Sequence, residues 1–364
     1  MPKLEKAIVQ NWRNIELQEL EFSPNMNCIC GNNGEGKTNL LDAIYYLSMT
    51  KSAFSTSDRY NLRKGESQFS LCGIYDLGDS RTAKISMRVL STGEKKVQRD
   101  GKPYSKVSGH IGLIPIVMIS PSDSSLVSEG GEDRRKYVSS VLSQTDGGHL
   151  SDLQNYNRML AQRNALLKMP GCADETLDSL DYTLDRYAGR IHDSRAAFTD
   201  RIRPLLQNFY AQLSEGREEI DILYRSDLDK GPFMDLLSST REKDKAFQFT
   251  TTGVQRDDFL FLMNGDPIRR TGSQGQQKSF LVSLKFAQYT LMKEIYGFPP
   301  ILLLDDLFDK LDIHRTEHLL EMVCGEDFGQ IFLSDTNRDR LQSIIGKFTA
   351  SSCCYEVEKG VFRR

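Results

Sequence analysis

Gly31-Asn32-Asn33-Gly34-Glu35-Gly36-Lys37-Thr38 is the stretch on which the reading of this 364-residue sequence turns. It satisfies G-x-x-x-x-G-K-[ST] at every fixed position. Glycines let successive backbone N–H groups turn inward without Cβ clashes, so that they can surround phosphate oxygens. A following helix adds its N-terminal dipole and its unpaired N–H groups. Lys37 then supplies a point charge for the β- and γ-phosphates, and the Thr38 hydroxyl a ligand for Mg2+. The flanks agree. Met26–Cys30 alternates like a strand and stops at Gly31, and Leu40, Leu41, Ile44, Tyr45 and Leu47 have helical spacing within Thr38–Met49. ATP and Mg2+ are the expected cofactors.

Two later stretches belong to the same chemistry. Ile301-Leu302-Leu303-Leu304 is an all-apolar run of the kind found in a central parallel strand, and it ends in Asp305-Asp306. A carboxylate at such a strand end holds the magnesium shell, a role that suits Asp305. Asp306 would then face the γ-phosphate and orient the attacking water. Taken alone, the pair is also an acidic helix N-terminus after a core strand. Ser273-Gln274-Gly275-Gln276-Gln277 precedes a long apolar-faced helix, with Phe280, Leu284, Ala287, Leu291 and Ile295 on one side. It resembles the L-S-G-G-Q signature of ABC-type ATPases. Here the plain alternative is a polar loop with a helix cap. One nucleotide does not need two phosphate-binding devices in one chain, so Ser273, Gln274, Gly275 and Gln276 are expected to meet the γ-phosphate held by a partner copy. Asp309-Lys310-Leu311-Asp312 resembles the D-loop that lies across such a dimer interface. The next apolar strand ends Ser334-Asp335-Thr336, where many ABC proteins carry a histidine. None of His110, His149, His192, His314 and His318 falls there, which leaves Asp335 or Thr336 to sense the γ-phosphate and implies slow hydrolysis.

Working outward, Ala7–Gln10 and Leu17–Phe22 read as strands, and residues 69–97 alternate like antiparallel strands with turns at Gly78-Asp79 and Thr92-Gly93. Leu113–Ile119 is a further apolar run. From Glu132 to about Gly216 the strand signal fades, and Leu153, Tyr156, Leu160, Asn164 and Leu167 take helical spacing. The expected class is α/β: an ABC-type P-loop ATPase head, with a mixed sheet and an antiparallel β part, carrying an inserted helical lobe. The head is assigned to 1–125 and 245–364 and the mainly helical lobe to 126–244.

Composition bounds the partners. A net charge of −3 excludes a global basic field, so any nucleic acid must bind a local patch. The seven cysteines include no C-x-x-C pair and suggest neither a zinc site nor a disulfide framework. A reducing cytoplasm is the expected setting. No apolar stretch of membrane-spanning length occurs, and Met1–Glu21 lacks an apolar signal core.

With these residues in hand, nearly the whole chain resembles the RecF family of bacterial DNA replication and repair proteins. Asn11-Trp12-Arg13-Asn14 resembles the family's N-F-R-N opening, and Gly31–Leu41 its phosphate loop. Ser120-Pro121-Ser122-Asp123 resembles its lid segment, followed by Asp133-Arg134-Arg135. Tyr156-Asn157-Arg158, Gln162-Arg163-Asn164 and Arg256-Asp257-Asp258 complete the order. Gln255 stands where the family usually has histidine. The resemblance implies that Arg13 and Asn39 join the loop in binding nucleotide. It also implies an ATP-dependent homodimer on DNA with gap junctions, acting with RecO and RecR to load RecA. The DNA surface is less legible: Arg186, Arg190, Arg195, Arg201 and Arg203 are offset by Asp181, Asp185, Asp193 and Asp200, which also fits a solvated, ion-paired helix face. Lys64, Arg88, Lys95 and Lys96 flank the antiparallel strands. Two other functions fit the head motifs. A transporter subunit would need a Q-loop glutamine and a switch histidine, which this sequence lacks. A non-catalytic scaffold would not need the intact Lys37, Thr38, Asp305 and Asp306.

Overall fold

The computed structural model describes residues 1–170, 174–307, 328–347 and 352–364. In chain order the elements are β1 (Lys3–Trp12), β2 (Ile15–Glu21), β3 (Met26–Cys30), α1 (Lys37–Met49), β4 (Gln68–Gly78), β5 (Arg81–Leu90), β6 (Lys95–Arg99), β7 (Lys102–Pro103) and β8 (Ile116–Ile119). There follow α2 (Gly131–Thr145), α3 (Gly147–Leu166), α4 (Asp174–Ser214), β9 (Ile220–Arg225), α5 (Phe233–Phe247), β10 (Asp258–Met263) and β11 (Asp266–Pro267). The chain then runs through α6 (Gln274–Tyr296), β12 (Ile301–Asp305), β13 (Ile331–Asp335), α7 (Arg338–Lys347), β14 (Ser352–Glu358) and β15 (Val361–Arg363). The D-loop-like Asp309–Asp312 lies outside the described residues.

One compact unit comprises Met1–Asp123 and Lys285–Arg364. It holds two six-stranded sheets. The first, ordered β2-β1-β4-β5-β6-β7, is antiparallel, and its strands bury alternate residues as the sequence pattern requires. The second is ordered β15-β14-β3-β13-β12-β8. In it β14, β3, β13, β12 and β8 run parallel, and β3, β12, β13 and β8 are buried along their whole length. Strands buried on both faces have no polar alternation to show, which is why they read as unbroken apolar runs. α1 touches strands of both sheets and buries Leu40, Leu41, Ala43, Ile44, Tyr46, Leu47 and Met49, nearly its whole circumference. This helix therefore ties the phosphate loop to both halves of the head core.

The second unit, Ser124–Leu284, contains α2 to α5 and the three-stranded sheet β11-β10-β9. The sequence reading places the division after 125, beside the observed one. It gives 245–284 to the head, whereas these residues group with the lobe. The cause is β10, which pairs antiparallel with β9 over Asp258–Met263 and belongs to that small sheet. α6 starts in this unit and ends in the first. It is buried on every side over 279–289, so it is not the one-faced helix its spacing suggests, and Ile295 is 38% exposed.

Family-like motifs of the lobe prove to be partners of one another. Arg134 forks onto Asp258 at 2.8 and 3.0 Å, and Arg135 donates to the Asp257 carbonyl at 2.7 Å. The Tyr156 hydroxyl donates to Gln255 Oε1. Arg163, with no exposed surface, bonds Asp181 at 2.6 Å, Asp244 at 2.7 Å and Thr250 at 2.9 Å. Asn164 accepts from the Thr250 N–H at 2.8 Å. One guanidinium thus joins α3, α4 and α5. Arg163→Met keeps the volume but leaves the buried Asp244 without its cation, while Asp181 retains Arg241 at 3.0 Å, and we expect a loss of about 3–5 kcal/mol in urea unfolding. A variant as stable as the parent would show that the ion pairs balance their own desolvation.

Candidate functional site: a phosphate loop with an acidic strand end

The site is assembled at the carboxyl edge of the parallel sheet, where β3, β12 and β13 end side by side. Register places Asp305 beside Ser334, and Asp335 beside Cys30, the residue before the loop. Gly34 and Gly36 have φ of 85° and 122°, outside the range comfortable for L side chains. A Cβ on Gly36 would lie 2.9 Å from the Asn14 side chain, which fills the space beneath it. Asn14 donates to the Glu35 carbonyl at 2.9 Å and accepts from Asn39 at 2.7 Å. Lys37 is 3% exposed, and its Nζ donates to the Gly31 and Asn32 carbonyls at 2.8 and 3.2 Å. Its ammonium therefore lies inside the curl of the loop.

The Thr38 hydroxyl is 3.0 and 2.8 Å from the two Asp305 oxygens, joining residues 267 positions apart. Burial pushes the Asp305 carboxyl upward, and the Ser334 and Thr38 hydrogen bonds and the Lys37 charge pull it back. Hard oxygen donors from one hydroxyl and one carboxylate suit Mg2+, which keeps waters and takes phosphate oxygens to complete its octahedron. Among the described residues no cluster of three His, Cys, Asp or Glu is placed to hold a metal. Asp306 follows with a left-handed φ of 42°, and its side chain is half-buried at the sheet edge.

Several site residues were not legible in the sequence. The β14–β15 turn clasps the loop: Gly360 N–H donates to the Glu35 carbonyl at 2.8 Å, and Lys359 N–H donates to the Glu35 carboxylate. Val357 packs so closely that a Cβ on Gly31 would meet it at 2.6 Å. Lys285 is 2.7 Å from Asp123 and donates to the Met118 carbonyl at 2.9 Å, while Asp123 accepts from Ser120 N–H at 2.7 Å. That ion pair fixes the lid-like Ser120–Asp123 segment. Arg13, expected among the nucleotide-binding residues, sits beside the loop. Its guanidinium bonds the fully buried Asp42 at 2.6 Å and Asn39 Oδ1 at 3.1 Å, so it bears on the loop through Asn39. Asp335 is committed as well, accepting from Asn337 N–H at 2.8 Å with Arg340 at 3.3 Å; Thr336 is exposed.

In the lobe unit, Ser273 and Gln276 form a reciprocal cap on α6. Ser273 N–H donates to Gln276 Oε1 at 2.7 Å, and Gln276 N–H donates to Ser273 Oγ at 3.3 Å. Gln276 Nε2 is held by Glu218 at 2.8 Å. With both ends of Gln276 engaged, the exposed Ser273 stands at the start of α6 beside Gln274 and Gly275. The arginines weighed as a DNA surface include one buried member and several ion-paired ones, as the solvated helix-face reading has it. Arg195 is buried on Asp257 at 2.5 Å, Arg190 pairs with Asp152 at 3.2 Å and Arg203 with Asp221 at 3.0 Å. Lys95 is likewise taken, by Asp58 at 2.7 Å.

The family model described as the RecF/RecN/SMC N terminal domain matches residues 3–349. The DNA replication and repair protein RecF of Phocaeicola vulgatus is 40% identical over 359 residues, 98% of this chain and 97% of its own. The chain belongs to the RecF family. A solved structure of the recombination mediator protein RecF with ATP in the RecFOR pathway superposes with a TM-score of 0.90 at 28% identity, covering 100% of this chain and 97% of that one. The likeness extends to an Smc head domain from Pyrococcus furiosus, TM-score 0.58 at 14% identity, which shares the fold. RecF membership accounts for the ABC-type head, its mixed α/β architecture and the order of the motifs. Among the described residues no helix is long and apolar enough to cross a membrane.

Proposed function

We propose that this chain is an ATP-driven, DNA-binding switch of recombinational repair and replication restart, working in the cytoplasm. The observation that carries the reading is the Thr38–Asp305 contact, which brings the phosphate loop and the acidic strand end to one point at 2.8 Å. Gly31, Asn32, Asn33, Gly34, Glu35, Gly36 and Lys37 would cradle the ATP phosphates, with Asn39 and Arg13 joining them in binding the nucleotide. Thr38 and Asp305 would hold Mg2+, and Asp306 would orient the water that attacks the γ-phosphate. Bound ATP draws two copies together on double-stranded DNA, and slow hydrolysis releases them. As in the RecFOR pathway named for its structural relative, RecO and RecR are the proposed partners, with gapped DNA the substrate on which RecA is loaded.

Turnover measured with and without double-stranded DNA tests this directly. DNA should raise a low basal rate, and DNA affinity should fall steeply with salt and show little sequence preference. An interface that neutralises about six phosphates loses on the order of a thousandfold in affinity between about 50 and 200 mM salt. Absence of hydrolysis under both conditions would leave an ATP-gated scaffold as the better reading.

A further inference from the structure

Ser334 lies at the end of β13, fully buried, and the nucleotide-binding reading gives it no task. Its hydroxyl makes two directed bonds. It donates to Asp305 Oδ1 at 2.6 Å and accepts from the Asp306 N–H at 3.1 Å. The parallel register of β12 and β13 puts Ser334 beside Asp305, so the contact is built into the sheet. Asp306 takes φ 42°, a conformation that a non-glycine residue leaves readily unless its surroundings fix it.

We propose that Ser334 is the positioning residue of the acidic pair, setting the rotation of the Asp305 carboxylate and pinning the left-handed turn that aims Asp306. The inference rests on the ATP reading above. Asp305 receives two hydroxyls, Thr38 from the loop and Ser334 from the neighbouring strand. Thr38 is itself assigned to the metal, so Ser334 is the contact that can persist when an ion enters. With Ser334 absent, Asp305 can swing about its terminal torsion, which is soft in carboxylates. The Asp306 amide would also lose its bond to the Ser334 hydroxyl. Both faults act on the metal and the attacking water, and neither touches the glycine cradle that binds the phosphates.

The test is equilibrium binding of ATP to the full chain in EDTA and in Mg2+, alongside turnover. Ser334→Ala should bind ATP in EDTA as the parent does, lose about tenfold of the tightening that Mg2+ gives, and lose at least about tenfold in kcat. Ser334→Cys keeps the volume with a weak donor and should resemble Ser334→Ala, while Ser334→Thr should recover most of the Mg2+ effect. If the parent shows no Mg2+-linked ATP binding, the nucleotide reading itself fails. If the parent shows it and both Ser334→Ala and Ser334→Cys match the parent, Ser334 positions nothing. Equal loss of binding in EDTA and Mg2+ by folded Ser334→Cys would also overturn the proposal, because a positioning role spares the cradle.

Discussion

Asp306→Asn is expected to bind ATP normally, hydrolyse it about a hundredfold or more slowly, and accumulate as an ATP-bound dimer. Its geometry makes the variant a clean probe. Asp306 has φ 42° and is half-buried at the end of β12. Asparagine is among the few residues that tolerate left-handed backbone, so the turn and its N–H bond to Ser334 should survive. The shape is kept while the chemistry changes: the charge is lost, and one acceptor oxygen that can orient water becomes an N–H donor. Asp305→Asn should fail differently, because Asp305 already receives the Thr38 and Ser334 hydroxyls and loses its value as a magnesium anchor. Rapid-quench turnover with size-exclusion chromatography in ATP distinguishes the two. Parent-like rates in both variants would remove the acidic pair from the chemistry.

Mixing Lys37→Ala chains with Ser273→Arg chains should restore ATPase activity that neither has alone. Lys37 sits inside the loop against the Gly31 and Asn32 carbonyls, so its loss removes the only lysine charge the loop motif supplies to the phosphates. Ser273 is exposed, and its structural task is a helix cap worth about 1 kcal/mol, so arginine there should leave the lobe folded. The added bulk instead occupies the space where a partner's γ-phosphate would dock. In a mixed dimer, the loop with intact Lys37 faces the intact Ser273. The opposite pair carries both lesions, with no nucleotide to compete with the arginine. Random pairing gives about half mixed dimers with one working site of two, hence about a quarter of parental activity. No recovery, together with no ATP-dependent change in size, would place the Ser273 loop's action within its own chain or remove it from the reaction.

The phosphate loop, the central strands and the order of motifs were legible because each is local. Gly34 and Gly36 are demanded by backbone angles, β12 by burial on both faces, and α1 by its own spacing. β10 was readable as a strand but not as a member of the lobe, since a strand's pattern does not name its partner. The cationic run from Arg186 to Arg203 could be read either as a DNA surface or as an ion-paired helix face. The structure pairs Arg190 and Arg203 with carboxylates and buries Arg195, which no local pattern marks as inward-facing.

The sequence alone determined that this chain builds a phosphate-binding loop, an acidic strand end and a signature-like helix start, in the order of the RecF family. Tertiary structure decided which groups serve them. Asn14 supports Gly36, the Lys359-Gly360 turn closes on Glu35, Arg13 turns to Asp42, and Ser334 reaches Asp305. The physical reason is separation. A glycine turn or an apolar run is fixed by the torsions and burial of neighbouring residues. A hydroxyl from β13 meets a carboxylate from β12 only through the register of two parallel strands, and a C-terminal turn meets a loop more than three hundred positions away only once the whole sheet has closed.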